Sequence, residues 1–387
     1  MNTFEYVVKT KLMFGFGQLG NLHKEQMPGK KALVVTSNGN SVKKHGYLDK
    51  LLKELDLAGV TYAFFDQIQP NPTLKNVMDG AEAVRQNGCD FVIGLGGGSV
   101  IDASKMIAFS ATNPGDFWEY TPSMTGGHKA PVGTPLPVIA ITTTAGTGTE
   151  VDPWGVITKE ETNEKSGFGY DATYPVIAVV DPELMMSVPA NYTAYQGLDA
   201  FFHATESYLN TKNHYIGKMF ALEAIKHLAK YLPKAVANGS DREAREHVAL
   251  GNTLAGYHMV CISKHSMEHA MSGFYPALPH GAGLIMLSHA YYNFFAKAHV
   301  CDAEMIEMAK VMGMENADKA EDFITALDNL LRDCKVDNLK MSDYGISEAD
   351  FPTFAEYSRK ILGGDFTADP KLLSDEDVIS IYKDSYK

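Results

Sequence analysis

Short, almost wholly apolar runs alternate with amphipathic stretches through the first half of the chain. KALVVT (31–36), VTYAFF (60–65), DFVIGLGGG (90–98), PLPVIAITTT (135–144) and PVIAVVD (175–181) have strand length and β-branched content. Between the first of them lie SVKKHGYLDKLLKELDL (41–57), TLKNVMDGAEAVRQNG (73–88) and SVIDASKMIAFSA (99–111), whose apolar residues recur at helical spacing. Strands that are apolar on both faces and separated by helices predict a parallel sheet covered on both sides. GVITKEETNEKSGFGY (155–170) interrupts this rhythm with a polar turn and predicts a hairpin beside the sheet.

After DPELMMSVP (181–189) the texture changes. No β-branched run of strand length follows. Residues 193–209, 215–236, 246–271 and 320–334 instead carry apolar positions at helical spacing, each predicting a helix. The boundary is placed near Val188, with an α/β domain over 1–188 and an all-α domain over 189–387.

A chain of 387 residues exceeds what one core usually supports, which agrees with two domains. The formal charge of −13 and the absence of any Lys/Arg-rich run argue against nucleic acid as a partner. The sequence MNTFEYVVKT has no basic segment followed by an apolar one, and no window of about 18 uncharged apolar residues occurs later, so a soluble cytoplasmic protein without a membrane partner is expected. Cys89, Cys261, Cys301 and Cys334 show no CxxC pairing or disulfide rhythm and read as free thiols.

Two glycine- and hydroxyl-rich loops follow strands. DFVIGLGGGSVIDASK (90–105) runs from a strand through glycines into a helix opened by Ser99, a geometry that suits a diphosphate because the backbone can approach it and the helix start offers free N–H groups. It is neither GxGxxG nor a Walker motif, but TTTAGTGTE (142–150) makes a second such loop, and two at strand ends of one parallel sheet point to a nucleotide. The loop after the first strand, TSNGNSVKK (36–44), lacks the carboxylate that usually binds the adenosine ribose of NAD. Its neutral Ser37, Asn38, Gly39, Asn40 and Ser41, followed by Lys43 and Lys44, suit the extra phosphate of NADP.

Asp199 and His203 stand one helical turn apart, as do His265 and His269, and His280 opens the segment PHGAGLIMLSHA. One carboxylate and three imidazoles are enough to bind a divalent transition metal while leaving a position for substrate. The remaining nine histidines, at positions 23, 45, 128, 214, 227, 247, 258, 289 and 299, read as surface or core residues.

GLGGGSVIDASK, TTAGTGTE, DPELMMSVP, GLDAFFHATE and HSMEHAMSGFYPALPHGAG occur in the order seen in iron-containing (group III) alcohol dehydrogenases, and the chain resembles that family over nearly its whole length. The resemblance implies a dehydroquinate synthase-like architecture, an N-terminal dinucleotide-binding domain and a helical metal-binding domain. It matches Asp199, His203, His265 and His280 to the metal ligands and His269 to a non-ligand histidine that helps move a proton. It assigns Gly97, Gly98 and Ser99 to the diphosphate with Asp102 beside it, and Thr142, Thr143, Thr147 and Lys165 to the cofactor, with Ser37, Asn38, Gly39, Ser41 and Asn71 as further cofactor-binding positions. The first loop is closer to NADPH-dependent butanol and aldehyde reductases than to NAD-dependent lactaldehyde reductases. The metal implied is Fe2+, with Zn2+ or another divalent ion able to replace it, and a homodimer or larger homo-oligomer is implied as well.

The chain departs from the family in carrying Thr149 where serine is commoner, in a His265 to His280 interval about one residue longer, and in GGDFTADPK (363–371) where many members have GNPR. The last departure predicts altered substrate selectivity. Trp154, Phe274 and Tyr275 suggest an apolar pocket for a short to medium aldehyde or primary alcohol, whereas Asp152 would instead recognise a diol such as glycerol or a propanediol. Hydride transfer with the cofactor, the oxygen polarised by the metal and His269 relaying the proton, is the expected chemistry. Two rivals are a lyase of the dehydroquinate-synthase type, which needs more converging basic residues than the metal helices offer, and a non-catalytic metal-binding protein, which leaves the phosphate loops unexplained.

Overall fold

The computed structural model describes residues 3–387. They divide into two compact units, Tyr6–Ser187 and Val188–Lys387, the latter joined by a short N-terminal piece ending at Glu5. Each unit has its own architecture.

Tyr6–Ser187 is built on a six-stranded parallel sheet with the order β1-β8-β5-β4-β2-β3. Its strands are β1 (Lys11–Phe14), β2 (Lys31–Ser37), β3 (Thr61–Ile68), β4 (Phe91–Gly96), β5 (Val138–Thr142) and β8 (Ile177–Val180). Alternation along each strand divides the apolar residues between two faces. Val34, Ile93, Ile141 and Val179 pack with Leu48, Leu51 and Leu55 of α2 (Tyr47–Leu57). Leu33, Val35 and Val92 pack on the opposite face with Val84 of α3 (Leu74–Asn87) and with Val100, Ala103 and Ile107 of α4 (Gly98–Ser110). The expected hairpin forms a separate antiparallel pair, β6 (Gly155–Lys159) and β7 (Glu164–Phe168).

The strand pattern missed β1. Its KLMF is only half-buried and short of a continuous apolar run; ladder pairing with β8, Lys11 opposite Ile177 through Phe14 opposite Val180, makes it a strand. The amphipathic stretch 41–57 is also not one helix. Gly46 adopts a left-handed φ of 72° and separates a single turn, α1 (Ser41–Lys44), from α2.

Val188–Lys387 is helical. Helix α5 (Ala190–Leu209) is packed by α6 (Tyr215–Ala237), α7 (Arg242–Gly256) and α9 (His280–Ala298), while α8 (Ser263–Phe274) lies against α9 and α12 (Phe351–Phe366). Helices α10 (Asp302–Val311), α11 (Ala320–Asp333) and α13 (Asp375–Ser385) complete the unit. The helical spacing over 246–271 is broken at Tyr257–Ile262, between α7 and α8. The sequence before Ser263 carries no local cap. Carboxylates from elsewhere start α8: Asp369 accepts the Ser263 N–H at 3.1 Å, and Glu206 of α5 accepts those of Ile262 and His265 at 3.1 and 3.4 Å. Among the described residues no helix is long and apolar enough to cross a membrane.

Candidate active site

The sheet topology singles out one crevice. From β2 the chain proceeds to β3 on one side and then crosses to β4 on the other, so the winding reverses between β2 and β4. Ligands of open α/β sheets bind outside the carboxyl ends of the strands at such a switch point. There lie Ser37–Ser41 after β2, Gly97–Ser99 after β4 and, on the neighbouring strand, Thr142–Thr147 after β5. Gly97 is the extended N-cap of α4 and no side chain caps it, leaving the helix start to supply N–H donors. The two loops touch: a Cβ on Gly98 would stand 2.4 Å from Cγ2 of Thr147, and one on Gly97 would stand 3.2 Å from Thr144. Glycine is required here by this close approach.

Asp102 of α4 is buried and accepts from the Thr149 hydroxyl at 2.5 Å and the Val156 N–H at 3.1 Å, clamping the loop after β5 to the hairpin. Asp152 is not available to a diol. It is 2% exposed and accepts from the fully buried Lys105 Nζ at 3.0 Å and the Trp154 N–H at 2.7 Å; burial pushes its carboxyl up to about 6 despite the lysine. Lys165 is buried in β7, close enough to Asp102 to act on its charge. Asn71 follows β3 with a left-handed φ of 52°, Lys43 pairs with Asp66 at 2.8 Å, and Trp154 is 42% exposed.

The helical unit gathers the other predicted group. Asp199 and His203 come from successive turns of α5, His265 from α8, and His280 is the first residue of α9. The Nε2 atoms of His203, His265 and His280 lie 3.7, 3.5 and 3.5 Å from one oxygen, Oδ1 of Asp199. The donor atoms of Asp199, His265 and His280 all lie within 4.8 Å of one another, as ligands of one cation would, and His203 approaches the same carboxylate oxygen from α5. Asp199 Oδ1 and His265 Nε2 are buried and have no hydrogen-bond partner among the described residues, a costly arrangement that a cation would relieve. Burial alone would raise the Asp199 carboxyl, but the charges of His203 and His280 hold it down at about 2. The donor set therefore fits a divalent transition metal.

Helix α9 reaches α5 because Gly281 has no side chain: a Cβ there would stand 2.2 Å from the Tyr195 carbonyl oxygen. Gly281→Ala should therefore push α9, and His280 with it, away from Asp199. The expected outcome is a loss of roughly 1–3 kcal/mol in stability, seen in thermal unfolding of the metal-free protein, together with weaker metal retention.

His269 lies one turn beyond His265, its ring centroid 5.3 Å from that of His280, and belongs to a second potential donor group with Glu268 and His280. A third group joins Cys261 to His203 and His265. Four partners were overlooked in the sequence: Glu206, Glu268, Lys264 and Cys261. Glu206 accepts from His265 Nδ1 at 2.7 Å, Glu268 hydrogen-bonds His280 Nδ1, and Lys264 Nζ lies 3.5 Å from Glu206. The only available signal was that Glu206 and Glu268 fall at or next to helical spacing from the ligands. Phe274 and Tyr275 pack against α12, the first against Phe354 and Tyr357 and the second with its hydroxyl on Asp350 at 2.9 Å. Both are only partly buried, and these contacts fix how they stand against α12.

The comparisons agree with both halves of this picture. Residues 9–182 match the family model "Iron-containing alcohol dehydrogenase", and residues 193–386 match "Fe-containing alcohol dehydrogenase family, C-terminal". The 1,3-propanediol dehydrogenase of Klebsiella pneumoniae is 34% identical over 99% of both chains, and the NADH-dependent butanol dehydrogenase A of Clostridium acetobutylicum is 29% identical over the full length of both. Among solved structures, an archaeal halo-thermophilic alcohol dehydrogenase from a Red Sea brine pool superposes with a TM-score of 0.92 at 33% identity, covering 99% of each chain. A 1,3-propanediol oxidoreductase superposes with a TM-score of 0.91 at 31% identity, covering each chain completely. The chain belongs to the iron-containing alcohol dehydrogenase family and is an enzyme of that type.

Proposed function

We propose that this enzyme transfers a hydride between NADP(H) and a short to medium primary alcohol or aldehyde, with residues 1–188 binding the dinucleotide and residues 189–387 the metal. Asp199, His203, His265 and His280 hold the metal, Fe2+ or another divalent ion. The carrying observation is the convergence of three Nε2 atoms on one orphaned carboxylate oxygen. When bound, the metal supplies Lewis-acid polarisation of the reacting oxygen. His269 has the reach to hold or pass on a proton beside that centre without being one of its four donors. Gly97, Gly98 and Ser99 bind the diphosphate, Thr142, Thr143 and Thr147 line the cofactor, and Lys165 and Asn71 stand near it.

The preference for NADP(H) rests on Ser37, Asn38, Gly39 and Ser41, which offer hydroxyls and amides without a carboxylate, and on Lys43 and Lys44 behind them. A second reading, NAD(H), is favoured by the Lys43–Asp66 pair, which spends one of those lysines and brings a carboxylate near the loop, and by the relatives named for NADH. The reduction of butanal is favoured as the test reaction; 3-hydroxypropanal is its rival because two relatives are named for 1,3-propanediol. A homodimer or larger assembly and a cytoplasmic location are part of the same reading.

The test is oxidation of NADPH or NADH with each aldehyde, with and without added Fe(II) or Zn(II). Metal-dependent turnover, faster with NADPH and butanal, is expected. A strong preference for NADH would overturn the cofactor assignment, and no metal-dependent turnover with any aldehyde or ketone would sink the site assignment. Gly98→Ala, which drives a methyl into Thr147, should raise KM for the cofactor far more than KM for the aldehyde.

A further inference from the structure

Two of the three imidazoles aimed at Asp199 are gripped from behind. The Nδ1 of His265 lies 2.7 Å from Glu206 Oε1, and the Nδ1 of His280 is hydrogen-bonded to Glu268 Oε2. Both glutamates are fully buried. A neutral imidazole carries one N–H, and a carboxylate at Nδ1 claims it, which leaves the Nε2 lone pair as the acceptor facing Asp199.

We propose that Glu206 and Glu268 are positioning residues of the metal centre, each selecting the tautomer and ring orientation of one ligand histidine. The proposal rests on the metal-site reading given above. Glu206 has little freedom to turn: its Oε2 accepts the Ile262 and His265 N–H groups, and its Oε1 faces Lys264 Nζ at 3.5 Å. Lys264 is fully buried, with Nζ 3.1 Å from the centre of the Phe202 ring. Glu206 thus fixes the start of α8 and the ring of His265 with one group.

Glu268 performs the corresponding task for the least enclosed ligand. The His280 side chain is 22% exposed, against 8% or less for the side chains of His203 and His265. His280 also stands at the first position of its helix, where fewer neighbours restrain it. Glu268 reaches it because Gly283, on the same helix as His280, is open: a Cβ there would stand 2.8 Å from Glu268 Cγ. Three buried carboxylates, Asp199, Glu206 and Glu268, stand at the four donors, a surplus of negative charge that a divalent cation offsets.

The full-length protein and its Glu268→Ala, Glu268→Gln, Glu206→Gln and His265→Ala variants are stripped of metal and titrated with Zn(II) against a competing chelator. The visible spectrum of each Co(II) derivative is then recorded. Glu268→Ala should bind Zn(II) roughly 10- to 100-fold more weakly and give an altered Co(II) spectrum. Glu268→Gln should recover part of the loss, since its amide oxygen still accepts the Nδ1 proton, and Glu206→Gln should show an intermediate loss. Circular dichroism of the stripped variants identifies any that do not fold, and the near-isosteric Gln variants then decide. Zn(II) affinities within about threefold of the parent and unchanged Co(II) spectra for the folded glutamate variants would overturn the proposal while His265→Ala still loses metal. Retention of metal by His265→Ala would overturn the site assignment and this proposal together.

Discussion

His265→Ala should emerge from desalting without bound metal and without alcohol dehydrogenase activity. The replaced ring supplies one of the three Nε2 atoms grouped around Asp199 Oδ1, and Glu206 holds it from behind at 2.7 Å. Its removal takes a ligand and not merely a supporting partner, so the loss should exceed the roughly 10- to 100-fold cost typical of outer contacts. The fold should survive. Glu206 keeps the Ile262 N–H and the Lys264 ammonium, so α8 retains its cap, and the exposed cost is one unsatisfied buried acceptor, about 1–3 kcal/mol by thermal unfolding of the stripped protein. Metal analysis after dialysis decides it: an equivalent of metal still bound to a folded variant would refute the assignment of His265.

His269→Ala should give the opposite pattern. Metal content should match the parent, because the four proposed ligands remain, while kcat falls by about 10²- to 10⁴-fold, the usual contribution of a positioned acid or base. Added imidazole should restore part of the rate. Both signs follow from position. His269 shares α8 with His265 and its ring stands 5.3 Å from that of His280, so it adjoins the metal centre without being one of the four proposed ligands. An unchanged rate would reduce it to a packing residue.

The two histidines also show how far spacing alone carries. Helical periodicity puts His265 and His269 on one face without giving either a role; the family resemblance assigned the roles, and the folded chain adds that Nε2 of His265 lies 3.5 Å from Asp199 Oδ1. The residues behind the ligands were harder still to see. Glu206 and Glu268 sit within GLDAFFHATE and HSMEH, yet nothing in either string tells which glutamate faces solvent and which grips an imidazole. GGDFTADPK behaves similarly. It reads in the sequence as a departure bearing on substrate, and the fold adds a second role: Asp369 caps α8 and Asp365 accepts from Ser266 at 2.8 Å, so the segment braces the helix that carries His265 and His269.

By itself the sequence determined the layered sheet, the helical second half, the two phosphate-type loops and the four donor types, because each is written in local periodicity, glycine placement or i,i+4 spacing. Contacts between residues far apart in the chain decided the rest. The edge strand β1 exists through its ladder with β8, the break before α8 through carboxylates of Glu206 and Asp369, and the burial of Asp152 through Lys105. These features depend on satisfying backbone and buried charged groups at long range, and local pattern carries no record of which distant partner will do so.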